Sequence, residues 1–323
     1  MRVVVIGGTG HIGSYLTPRL VAAGHDVVVL SRGERQPYRP HPAWGHVTMV
    51  QADRDAEEAA GTFGDRIGRL APDTVVDLTC FTPESAATLL DAVRGRIGHL
   101  LHCGTIWVHG PAVEVPVTED APRRPFGAYG EAKAATEELL LAESRRGGVP
   151  ITVLHPGHIV GPGWTPIGPV GNLDLDVIGR LARGEEVLLP NAGLETLHHV
   201  HADDVARAFE QALRHRSVAL GESFHVTSER ALTLRGFAEA VATWFGSVAK
   251  LRYAPLQEWE ADGSEHADAT VQHVLHSSSV SIDKARWLLS YRPRYTSLEA
   301  VAESVDWLIE HGQTDLGGLR PVL

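Results

Sequence analysis

The chain has 323 residues, 43% hydrophobic and 21% charged, with 29 lysines and arginines against 40 acidic residues and a formal net charge of −11. That length can bury one large core and a smaller companion, while the acidic balance argues against a nucleic-acid partner, which calls for a basic surface. No apolar run approaches the roughly 18 residues of a membrane span, strand-like sequence begins at Arg2 where a signal peptide would lie, and Cys80 and Cys103 suggest no disulfide framework, so a cytoplasmic protein is expected.

Arg2 to Ile6 is a short β-branched run closed by glycine, the pattern of a strand buried on both faces. Helical spacing follows to Ala23 and stops at Gly24, a natural C-cap. Further strands are predicted over Asp26–Leu30, Val47–Val50 and Thr74–Leu78, with a helix from Asp55 to Leu70 before the last of them. Pro83–Val93 reads as a helix, His99–Cys103 as a strand, Ala128 to about Arg145 as a helix, and Ile151–Leu154 as a strand. This alternation predicts an α/β fold with a doubly wound parallel sheet, a Rossmann domain over residues 1–160. After Pro156 the glycine- and proline-rich stretch 161–169 reads as a long functional loop. Helices are predicted over Ala202–Leu213, Leu234–Phe245 and Leu298–Ile309. Residues 161–195 and 231–323 are assigned to a smaller C-terminal α/β substrate subdomain, with 196–230 returning to the main sheet.

Gly7, Gly10 and Gly13 fall in the turn between the first strand and first helix, with His11 and Ile12 among them. Glycine permits a tight turn and lets backbone N–H groups approach a pyrophosphate, which a helix N-terminus also attracts. At the end of the second strand the sequence is Val29-Leu30-Ser31-Arg32-Gly33, without a carboxylate at the turn. Arginine there pairs with the 2′-phosphate of NADP, whereas an acid would accept from the ribose hydroxyl of NAD. NADP is therefore favoured over NAD, with Ser31 and Arg32 reading the phosphate. Asp53, just after the third strand, is a candidate acceptor for the adenine amino group.

Tyr129 and Lys133 are four residues apart, one helical turn plus a little, so phenol and ammonium share a helix face. A nearby cation stabilises phenolate and brings tyrosine down from its usual pKa of about 10 towards the range useful for proton transfer. This is the chemistry required when a hydride moves on carbon and a proton moves on oxygen. His198, His199 and His201 cluster, and His266, His273 and His276 form a looser set, but neither has the supporting carboxylate or His-x-x-x-His pairing typical of zinc sites. No metal is expected.

The glycine turn, the Tyr129–Lys133 pair, His155-Pro156-Gly157-His158-Ile159-Val160-Gly161-Pro162-Gly163, the His199–Ala206 junction and Leu289-Ser290-Tyr291-Arg292-Pro293 occur in one order. In that order they resemble the extended short-chain dehydrogenase/reductase superfamily, its NAD-dependent epimerase/dehydratase-like group, over nearly the whole chain. The resemblance implies that Thr105, five residues before Gly110 in Val108-His109-Gly110, holds the substrate oxygen. It implies that Tyr129 exchanges the proton, and that Lys133 binds the nicotinamide ribose and keeps Tyr129 acidic. Leu78, Pro156 and His158 complete the expected cofactor contacts, and a homodimer is implied. Ile106 and Trp107 stand where sugar dehydratases of this group carry an acidic pair, which speaks against dehydration. Glu195 and Thr196 lie where epimerases usually place a phosphate-binding arginine. The helix-start asparagine of the usual proton relay is replaced by Phe81-Thr82-Pro83-Glu84. Cys80, Phe81, Trp107, His109, His158 and Trp164 are expected to face a small ring-bearing substrate. The leading expectation is an NAD(P)-dependent oxidoreductase acting at a secondary alcohol or ketone. An epimerase with tightly bound cofactor is the second reading, and a non-catalytic cofactor sensor the third.

Overall fold

The computed structural model describes residues 1–34, 36–261 and 265–322. Six strands, β1 (Arg2–Ile6), β2 (Asp26–Ser31), β3 (Thr48–Gln51), β4 (Thr74–Asp77), β5 (His99–Cys103) and β6 (Ile151–Pro156), join Ser223–Val226 in one sheet. The order across it is Ser223–Val226, β6, β5, β4, β1, β2, β3, and every pairing is parallel. Val3, Val4 and Val5 are all fully buried because both faces are covered. The helices Gly13–Ala22, Ala202–Arg214 and Asp283–Leu288 supply the core on one face, and Phe63–Leu70, Pro83–Val93 and Gly127–Arg145 on the other.

A further hydrophobic cluster joins the helices Asp176–Ala182, Leu234–Trp244 and Ser297–Glu310. Beside it Glu186–Pro190 pairs in parallel with Lys250–Ala254, and Leu189, Phe237 and Val241 are buried in the cluster. The short strand His158–Val160 pairs with His199–His201, which links the end of β6 to this second core. One predicted element divides. The helix expected over Asp55–Leu70 is two, Arg54–Ala59 and Phe63–Leu70, because Gly61 between them turns into the left-handed region at φ +69°.

Strand order reverses between β1 and β4, and the crevice beyond the C-terminal ends of strands at such a reversal is where α/β sheets bind ligands. The turn at Gly7 and the segment Leu78–Cys80 form its two lips.

Candidate active site

The glycine turn is fixed by close backbone approach. Gly7 has φ +82° and donates to Leu30 O, and a Cβ there would stand 2.5 Å from Thr79 Cγ2. A Cβ on Gly13 would lie 2.3 Å from Gly8 O, and one on Gly8 2.7 Å from Val29 Cγ2. Gly8 thus joins Gly7 and Gly13 as a position closed to side chains, while a Cβ on Gly10 would meet only Gly7 O, at 3.2 Å. The helix from Gly13 begins here, and Ser14 N donates to Gly10 O and Tyr15 N to Ile12 O, which ties its first turn to the glycine loop. Gly13→Ala should force the turn open. We expect a loss of about 1–3 kcal/mol of stability together with dinucleotide binding, read by thermal unfolding and by cofactor titration.

The neighbouring cofactor residues are placed unevenly. His11 is buried, and its ring stacks 5.0 Å from Trp164 and meets Tyr38 edge-on; burial, with His201 nearby, brings its pKa to about 3. Ile12 caps the helix start, Leu78 donates its N–H to Ile6 O, and Pro156 ends β6 beside Val226. Ser31 ends β2, while Arg32 is exposed and paired at 3.3 Å with Glu34. The carboxylate that Arg32 meets is Glu34, just past the stretch Val29–Gly33, across Gly33 in the left-handed region (φ +77°). Asp53 accepts from Ala56 N as the N-cap of Arg54–Ala59, so one of its oxygens is committed to the helix and not to adenine.

Tyr129 and Lys133 sit on the helix Gly127–Arg145, four residues apart, and the ammonium is bonded to backbone carbonyls. Lys133 is 3% exposed and its Nζ donates to Cys80 O at 2.8 Å and Cys103 O at 2.6 Å, beyond the ends of β4 and β5. Two open carbonyls attract an ammonium in a dry interior more firmly than a neutral phenol does. Burial lowers the Lys133 pKa. Tyr129 is 44% exposed, and its hydroxyl is pushed up to about 12, not down, by the protein packed around it and by Cys103. The Thr105 hydroxyl is the hydrogen-bond partner that opposes this rise. Thr105 is itself fixed, its Oγ1 accepting from Trp107 N at 3.3 Å as the N-cap of Ile106–His109.

Of the residues expected to face substrate, Trp107 meets the site, Phe81 borders it, and His158 is linked to it only through the ring of His273. Trp107 lies edge-on to Tyr129 at 5.8 Å, and the 54% exposed Phe81 ring is 5.3 Å from Lys133 Nζ. Cys80 is 1% exposed with its thiol on Thr82 O; burial and Asp77 raise it to about 12, so it is inert and faces inward. His109 is also internal. Its Nε2 is 2.8 Å from His225 Nε2, in a buried group with His155, and burial with Arg123 lowers its pKa to about 3. Arg123 donates to His109 Nδ1, which leaves the imidazole proton on Nε2, shared with His225. Trp164 covers His11 at the glycine turn and not the tyrosine. His198 bonds Ser228 O and Val280 N, and His201 caps the helix Ala202–Arg214 through Asp203 N. His273 and His276 pack on Trp107 at 5.0 and 3.9 Å, bringing the helix Ala267–His276 to the site.

Two buried ion pairs escaped the sequence reading. Arg54 Nη1 forks onto both Asp77 oxygens at 2.8 and 2.9 Å, and its Nε bonds Glu58 at 2.7 Å. Glu137, four residues beyond Lys133 on the same helix face, accepts from Arg123 at 2.7 Å and lies 3.0 Å from His155 Nε2. Burial alone would raise its pKa, but the neighbouring His155 and Arg123 hold it well below the usual carboxylate range. The i, i+4, i+8 stripe Tyr129–Lys133–Glu137 was the available signal.

The model of the NAD dependent epimerase/dehydratase family matches residues 3–226. The chain belongs to the NAD dependent epimerase/dehydratase family. It is 30% identical over 268 residues to 2′-dehydrokanamycin reductase of Streptomyces kanamyceticus, covering 83% of this chain and 73% of that one. The chloroplast stem-loop binding protein of 41 kDa b of Arabidopsis thaliana is 24% identical over 319 residues, 94% of this chain and 78% of the relative. The crystal structure of UDP-glucose 4-epimerase with UDP-glucose from Thermotoga maritima is similar at TM-score 0.72 and 22% identity, over 96% of this chain and 99% of that one. That likeness shows the fold.

As a member of this epimerase/dehydratase family the chain is an enzyme, with relatives named as reductases, epimerases and dehydratases. The crevice fits the family's nicotinamide dinucleotide. Gly7, Gly8 and Gly13 let the turn pack directly on Thr79, Val29 and the Gly8 backbone, which brings its main chain to the crevice beside a helix N-terminus. Lys133, with three N–H groups and two carbonyl partners, keeps one donor uncommitted.

Proposed function

We propose that the enzyme is an NAD(P)-dependent oxidoreductase that interconverts a secondary alcohol and a ketone on a small cyclic or sugar-like substrate. One observation carries the reading: a half-exposed Tyr129, whose ionisation the fixed Thr105 hydroxyl favours, stands on the helix that sends Lys133 to the ends of β4 and β5. The nicotinamide, when bound, supplies or accepts the hydride. Thr105 holds the substrate oxygen. Tyr129 gives that oxygen its proton in reduction and takes one back from solvent, while the free N–H of Lys133 is directed to a ribose hydroxyl. Gly7, Gly10, His11, Ile12 and Gly13 would hold the pyrophosphate through their backbone. Substrate is received by residues 161–195 and 231–323.

The relative named a reductase, at 30% identity, supports net redox chemistry. Epimerisation is the second reading, supported by the UDP-glucose 4-epimerase of Corynebacterium glutamicum, 23% identical over 94% of this chain. Nucleic-acid binding, suggested by the printed name of the Arabidopsis relative, is opposed by the net charge of −11. No described helix is long and apolar enough to cross a membrane, and the same reading has the enzyme working in the cytoplasm as a homodimer.

NADP is the favoured cofactor, with Arg32 exchanging Glu34 for the 2′-phosphate. Incubation with NADPH and a panel of cyclic ketones and ketosugars should consume NADPH. Arg32→Ala should raise the KM for NADPH about tenfold and leave that for NADH unchanged. Silence across the panel, with isotope exchange at a carbinol carbon instead, would select the epimerase. Equal loss with both cofactors would remove Arg32 from the phosphate site.

A further inference from the structure

A seam of rings leads away from the catalytic tyrosine into the second core. Trp107, edge-on to Tyr129, meets His273 at 5.0 Å; His273 meets His158 at 5.0 Å, and His158 meets His199 at 5.6 Å. The protons of the last two rings can be placed. His158 Nδ1 is 3.2 Å from His198 O and His199 Nε2 is 2.9 Å from Ile167 O. A carbonyl oxygen only accepts, so each of those nitrogens carries hydrogen. Burial keeps both imidazoles neutral, with the His199 pKa lowered to about 4. The remaining nitrogens, His158 Nε2 and His199 Nδ1, are therefore bare lone pairs. Both are sealed from solvent, and among the described residues neither has a hydrogen-bond partner. Buried polar atoms are nearly always paired, so these two neighbouring acceptors call for a donor that the chain's own side chains do not supply, an internal water or a group of a bound molecule.

We propose that His158 and His199 form a donor-reading substrate subsite, which takes a hydroxyl or ammonium group of a polar ring and rejects a phosphate. The proposal rests on the hydride-transfer reading for the position of the reacting carbon, and its chemistry is independent of that reading. Tautomers pinned by backbone carbonyls cannot reverse without losing both bonds, so the pair stays an acceptor surface. An O–H or N–H⁺ group satisfies it, whereas a phosphate oxygen meets lone pairs only.

The test is a ligand-observed NMR titration of the full chain loaded with NADP⁺, at neutral pH, with glucose, glucosamine and glucose 1-phosphate. Glucose and glucosamine should bind more tightly than glucose 1-phosphate. His158→Phe should weaken both about tenfold, and His158→Gln, which restores an acceptor, should stay within about threefold of the parent. A larger loss for glucosamine than for glucose identifies an ammonium as the natural donor, and equal losses identify a hydroxyl. The proposal is overturned if glucose 1-phosphate binds as tightly as the others, if none of the three binds, or if His158→Phe changes nothing, which would leave the lone pairs to an internal water. The same titration on Tyr129→Phe separates the two claims, since the ranking of ligands should persist there even if hydride transfer proves not to be the activity.

Discussion

Replacing Tyr129 with phenylalanine should lower kcat for ketone reduction by about 10²–10⁴-fold, the usual contribution of a positioned proton donor, with cofactor affinity unchanged. The ring would keep its edge contact with Trp107, so the loss isolates the hydroxyl. The pH dependence carries more information. Surrounding protein raises this phenol to about 12 and only Thr105 opposes the rise. At neutral pH the group is therefore protonated, an acid ready to donate and a poor base. Reduction by the parent enzyme should be flat with pH over about 6 to 9, while alcohol oxidation should climb tenfold per pH unit across that range. A break near neutrality in the oxidation profile would show that cofactor binding turns Lys133 from the Cys80 and Cys103 carbonyls towards the phenol.

Arg54→Met should destabilise the fold by about 3–5 kcal/mol, the cost of leaving a buried charge without its partner. Asp77 is 1% exposed at the end of β4, and Arg54 satisfies both its oxygens while also holding Glu58 and Ser85 O. The methionine fills much of the volume, so the loss measures the ion pair and not a cavity. Arg54→Met with Asp77→Leu should recover most of the stability, because apolar pairs often replace buried ion pairs without penalty. Chemical unfolding of the two variants checks this, and equal stability of the single and double variants would refute it.

The parts of the fold legible in the sequence were those dictated by local pattern. β1, at Arg2–Ile6, and the helix Ser297–Glu310, predicted as Leu298–Ile309, declare themselves through β-branched runs and helical spacing. Two short parallel pairings, His158–Val160 with His199–His201 and Glu186–Pro190 with Lys250–Ala254, were invisible because tertiary packing and not composition selects them. The site was read in the same proportion. Spacing put Tyr129 and Lys133 on one helix face, but not what that face meets. An ammonium's choice between a phenol and two carbonyls depends on the ends of β4 and β5. His109 and Cys80 were taken for pocket residues for a similar reason. Position along the chain says that they follow strands, but not that His109 turns inward to His225, 116 residues away, or that the Cys80 thiol is buried against Thr82 O.

Lys133 fastens two adjacent strand tips together from beneath the crevice. A knockout at this position would sever that clasp as well as remove a positive charge, so an inactive Lys133 variant confounds architecture with chemistry. Tyr129, near the surface, is the cleaner probe of what the enzyme does to its substrate.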